Sequence, residues 1–186
     1  MEFLVALWLP ILLSAVAVFV ASSVIHMATP MHKSDQSKLP DEERIGAALS
    51  KVPAGDYMFP RPSSMKECGS PEWIEKYKKG PVGFLTILPS GDPGMGKALL
   101  QWFLMSLAIS FFVAYITWLG RAPGASVSSV FQMAGAAGVL GYGFGSTSNS
   151  IWRGIAWSTT VRFTVDGILY GLATGAAFAY LWPAAI

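Results

Sequence analysis

The chain has two histidines, and both stand in the run "IHMATPMHKS" at residues 25–34. His26 and His32 each neighbour a methionine, Met27 and Met31. Imidazole and thioether groups bind soft metal ions and the iron of haem. His26 ends an uncharged stretch, where its ring could take an axial position of a pigment or haem. Haem ordinarily needs a second ligand, and no other stretch offers one. A copper clasp of two His and two Met belongs on an oxidising side, whereas this run is read below as cytoplasmic. Pro30 breaks any helix joining the histidines. The run therefore reads as a helix end. His26 is the one candidate cofactor ligand and His32 a solvated loop residue, with no metal site and no bound cofactor expected.

Residues 91–98, "GDPGMGKA", match G-x-x-x-x-G-K with Gly91, Gly96 and Lys97, after the strand-like "VGFLTIL". A phosphate loop needs a Ser or Thr after the lysine to ligate magnesium. Ala98 stands there, and no second aspartate-bearing strand follows. No nucleotide is expected; the run reads as a turn into a membrane helix, with Lys97 at the headgroups. Arg162 and Asp166, four residues apart, share a helix face and are expected to form a salt bridge. One cysteine, two neighbouring histidines and acids confined largely to one segment assemble no Ser-His-Asp set, carboxylate pair or metal-spaced cluster. No catalytic residue is expected, and the chain reads as a non-enzyme.

The elements that must carry these residues follow from charge. Only 13% of residues are charged, about half the share usual in a soluble domain. The deficit is localised: Phe3–Ile25, Ala98–Gly120, Ala122–Trp152 and Gly167–Ile186 carry no charge over 23, 23, 31 and 20 residues. About 20 apolar residues cross a bilayer core as a helix. The expected fold is an all-α membrane protein with four transmembrane helices, over residues 1–26 and about 98–120, 126–147 and 165–185. A polar insert of about 70 residues, 27–97, separates the first from the other three. The first stretch reads as an uncleaved anchor rather than a signal peptide, because its leading residues lack a basic group. Pro10 is expected to kink that helix or mark its first turn.

Basic residues set orientation. With the N-terminus outside, the insert's ten Lys/Arg together with Arg153 and Arg162 lie in the cytoplasm, and only Arg121 lies outside. Trp102, Trp118, Trp152, Trp157 and Trp182 fall near helix ends, where an amphipathic ring prefers the headgroups. Nine Asp/Glu balance the insert's ten basic residues, which argues against a nucleic-acid partner. Within it, "LPDEERIGAALSK" reads as one short helix, and "SPEWIEKYKKG" as another with Ser70 as N-cap, Pro71 at the first position and Gly80 as the stop. Trp73, Ile74 and Tyr77 line one side of the second helix as a docking surface, for the membrane face or for a partner.

Small residues recur at four-residue spacing: Ala134–Gly138 and Ala137–Gly141–Gly145 in the third apolar stretch, and Gly167–Gly171–Gly175–Ala179 in the fourth, six of them glycines. Between lipid-embedded helices, small residues allow close backbone approach. These six are expected to pack the last two helices together, or to dock another protein's helix.

The stretches "GDYMFP", "GPVGFLTILPSGDPGMGKALLQWF", "NSIW" and "AWSTT" resemble those of a bacterial family of small four-span inner-membrane proteins with no known activity. The resemblance implies location in the bacterial inner membrane and supplies no site residues. The expected function is a non-catalytic accessory or structural subunit of a larger bacterial membrane complex, respiratory or photosynthetic by analogy. Its partners are the lipid bilayer and other membrane subunits. The alternatives are a small oligomeric transporter or channel, or a pigment-, haem- or copper-binding membrane protein.

Overall fold

The computed structural model describes residues 2–92 and 94–185, so Pro93 of the "GDPGMGKA" run lies outside them. The chain is mostly helical and divides into two compact units. The larger comprises residues 1–36, 94–150 and 155–186, the smaller residues 37–93 and 151–154.

The larger unit is built on α1 (Glu2–Ala28), α4 (Met95–Gly120), α5 (Val127–Gly143) and α7 (Trp157–Tyr180). Of these, α1 and α4 are long and apolar enough to cross a membrane. The helix α1 runs unbroken through buried Pro10. It packs on α4 and α7, while α5 packs chiefly on α7. The α1–α4 seam is partly polar: Ser14 Oγ lies 2.9 Å from Ser110 Oγ, and Trp102 Nε1 donates to Ser22 Oγ at 2.9 Å. Leu7, Val113, Val130 and Phe178, all fully or almost fully buried, centre the apolar core.

Glycines set the α5–α7 contact. A Cβ on Gly167 would stand 2.2 Å from Gly143 Cα, one on Gly171 2.5 Å from the Val139 backbone nitrogen, and one on Gly175 2.9 Å from Gly135 Cα. The crossing thus runs along Gly135, Val139 and Gly143 of α5, with Gly138 also facing Gly171. Two expected packing residues lie elsewhere. Gly141 faces Ile109 of α4, and a Cβ on Gly145 would meet nothing within 4 Å. The latter falls in a turn, because α5 ends at Gly143 and a separate short helix, α6 (Thr147–Arg153), follows.

The last helix starts eight residues before the expected 165. In the polar run "WSTTVRFTVD" Ser158 is exposed, but Thr159 and Thr160 are buried against the bundle, and Thr164 Oγ1 donates to Thr160 O at 2.9 Å.

The smaller unit holds α2 (Glu42–Leu49), β1 (Gly55–Phe59), α3 (Pro71–Lys79) and β2 (Gly83–Ile87). The two strands pair antiparallel, Tyr57 opposite Leu85, and among the described residues the strand within "VGFLTIL" has no parallel partner. Thr86 Oγ1 donates to Asp56 Oδ1 across the ladder at 2.6 Å. Ser70 caps α3 by accepting the Trp73 N–H, Pro71 sits at its start, and Gly80 closes it at φ 64°, a conformation glycine adopts without steric cost.

Candidate functional site

The two histidines meet. Past Ala28 the chain reverses in a tight turn, with Thr29 Oγ1 donating to Ile25 O at 2.6 Å and Lys33 N–H to Pro30 O at 3.2 Å. Pro30 follows the helix end by two residues and disfavours helical geometry at Thr29, and the reversal returns His32 over His26. Their rings are parallel, 4.3 Å between centroids and 6° between planes, with Phe163 of α7 5.1 Å from the His32 ring.

Each imidazole is oriented by its Nδ1 atom. His26 Nδ1 lies 3.0 Å from Ser22 O, and His32 Nδ1 lies 2.6 Å from Asp35 Oδ2. A carbonyl and a carboxylate accept and do not donate, so each Nδ1 carries a proton and each Nε2 is left to face elsewhere. Both Nε2 atoms face Asp166 of α7: that of His32 is 2.9 Å from Oδ2, and that of His26 is 3.9 Å away. Neither approach is aligned as a hydrogen bond, and among the described residues neither oxygen of Asp166 has a hydrogen-bond partner. The Asp166 side chain is 2% exposed.

Arg162, one turn before Asp166 on α7, pairs with Asp35. Burial opposes ionisation of Asp35. The hydrogen bonds from His32 and Arg162, with the Arg162 charge, outweigh it and hold the carboxyl below its ordinary range. The result is a chain Arg162–Asp35–His32 ending at Asp166, which fastens the turn after α1 to α7.

Beside the cluster lies a cavity of about 460 Å³, lined by Trp102, Tyr142, Ser146, Phe163, Asp166 and Tyr170 among others. Trp102, Tyr142 and Tyr170 pack as an aromatic trio, with centroids 5.7–6.3 Å apart. The Tyr170 hydroxyl and Ser146 Oγ are buried there without a partner among the described residues.

Two expectations are corrected. His32 is not a solvated loop residue: its side chain is 10% exposed and stacked on His26. Arg162 does not pair with Asp166; it reaches Asp35, because the returning turn brings a second carboxylate to α7. The residues missed, Asp35 and Tyr170, carry a faint signal: an acid three residues after a histidine can take its Nδ1–H only if the intervening turn is known. His26 occupies the site as the candidate ligand, while Met27 is 82% exposed. On α3 the Trp73 and Tyr77 rings lie 5.0 Å apart, and Ile74 and Tyr77 are exposed.

Fold and site together define a mostly helical protein in which α1 and α4 could each cross a membrane, with a His-Asp cluster on a buried Asp166 where α1 ends. No protein-family model, curated protein or solved structure matches the chain.

Proposed function

We propose that the chain is a four-span protein of the bacterial inner membrane, serving as a non-catalytic accessory subunit of a larger membrane complex. In this reading α5 and α7 cross the bilayer with α1 and α4, the N-terminus lies outside, and the insert of 27–97 is cytoplasmic. The family resemblance of "GDYMFP" and the long run from Gly80 to Phe103 supports the same placement.

One observation carries the reading. Among the described residues of 37–92, Pro60 is buried, but no Val, Leu, Ile, Met, Phe, Tyr or Trp side chain is. A soluble domain of about 60 residues normally buries roughly 60% of the surface its unfolded chain exposes. Here Phe59, Met65, Ile74, Tyr77, Phe84 and Leu88 are all exposed. A small unit with ordered strands and a well-capped helix but no core gains its apolar contacts from another surface. The Trp73-Ile74-Tyr77 side of α3 is the part best suited to that contact, since aromatic residues are enriched where proteins dock.

Photo-crosslinking in native membranes tests this. A crosslinking side chain at Tyr77 is expected to capture another membrane protein, whereas one at Glu75, on the opposite side of α3, captures none. Equal capture at both positions, or none at Tyr77, contradicts the docking role.

A further inference from the structure

We infer that His26, His32 and Asp166 form a binding site for one divalent first-row transition-metal ion, of the Zn²⁺ or Fe²⁺ class. Three ligand atoms gather there. Both Nδ1 atoms are turned to Ser22 O and Asp35, which leaves the two Nε2 atoms on the side of the Asp166 carboxylate. Each ligand atom of the three residues lies within 4.8 Å of the others. Ligands held about 2.0–2.2 Å from a tetrahedral zinc ion stand roughly 3.3 Å from one another. The His32–Asp166 separation of 2.9 Å and the His26–Asp166 separation of 3.9 Å bracket that spacing. Closing the set requires His26, at the more exposed edge, to turn out of its parallel stack on His32 so that both lone pairs reach one ion.

Burial supplies an independent argument. An ionised carboxylate 98% removed from solvent, with neither oxygen hydrogen-bonded among the described residues, is expensive unless a cation neutralises it. Arg162 is not that cation, because it is committed to Asp35. The outer contacts also have the form found around metal-bound histidines, in which the second ring nitrogen donates to a carboxylate or a backbone carbonyl. Asp35 does this for His32, and Ser22 O for His26.

The donor set selects the ion. Two imidazoles and a carboxylate, with no thiolate, suit zinc or ferrous iron, while Cu(I) prefers thioether and thiolate sulfur. Three protein ligands leave at least one coordination position open. The 460 Å³ cavity is lined by His26 and Asp166 as well as Tyr142 and Tyr170, with room for water or another small ligand.

The test uses the full chain, purified in detergent with a histidine-free tag, stripped with chelator and titrated with Co²⁺ or Zn²⁺. One equivalent of Co²⁺ is expected per chain, with visible absorption bands of low-coordinate cobalt that Zn²⁺ abolishes. Asp166→Asn and His32→Ala should each weaken binding at least tenfold. Asp35→Asn, which leaves all three ligands in place, should weaken it about 10–100-fold. Helical content by circular dichroism selects the variants that are folded. Binding of less than a tenth of an equivalent by the wild-type chain overturns the assignment without recourse to any variant. So does unchanged affinity in a folded Asp166→Asn or His32→Ala chain.

Discussion

Two arginines near the ends of helices make ion pairs of different weight. Arg153 lies 3.6 Å from Asp56 and over the Phe84 ring, but both charged partners are substantially exposed. Solvent screens such a pair, and its loss costs about 0–1 kcal/mol. Arg162 pairs with an Asp35 that is 12% exposed and already holds His32. Arg162→Ala removes one end of a connected chain and leaves a largely buried carboxylate with a single partner. It should lower the unfolding free energy by about 1–2 kcal/mol, a value discounted because Arg162 itself is 24% exposed. Arg153→Ala should stay within about 0.5 kcal/mol of wild type. Denaturation of the two variants side by side in one detergent reads the difference; equal losses would show that the Arg162 chain has no structural weight.

At the scale of elements, the α5–α7 crossing makes the sharpest prediction. Gly167 faces Gly143 backbone to backbone, so Gly167→Ala must force the helices apart and should cost about 1–3 kcal/mol. Gly145→Ala meets open space and should change stability by no more than about 0.5 kcal/mol. Thermal unfolding followed by circular dichroism checks both, and equal effects would contradict the crossing described here. The glycines of α7 were legible in the sequence because they repeat every four residues without interruption. Those of α5 were legible only in part, since the true line runs Gly135–Val139–Gly143 and a valine interrupts the pattern of small residues. Val139 is tolerated because its partner is the bare backbone of Gly171. The capped helix α3 was fully readable, each cap residue carrying its own local geometry. The start of α7 was not, because a run rich in Ser and Thr has little helical preference until tertiary contacts bury its hydroxyls.

At the scale of the whole molecule, the polar insert expected over 27–97 is divided between the units. Residues 27–36 belong to the helical unit, fastened there by His32 and Asp35. That placement depends on a chain reversal and on a contact 127 residues apart in sequence, between Asp35 and Arg162, neither of which composition or spacing encodes. The histidine pair was visible as a pair, but its third member could be found only in three dimensions. Orientation is testable through the chain's single cysteine, Cys68, which is partly exposed. A membrane-impermeant maleimide should leave Cys68 unlabelled in intact cells and label it in inverted membrane vesicles; the opposite pattern would place the insert outside.

The accessory-subunit reading is tested most directly by the mass of the native particle. The chain weighs 19.9 kDa. After extraction in mild detergent, the account predicts a particle several times heavier, in which other polypeptides accompany the chain in fixed ratio and from which Ile74→Asp releases it. A particle containing this chain alone, whether monomer or homo-oligomer, would contradict it.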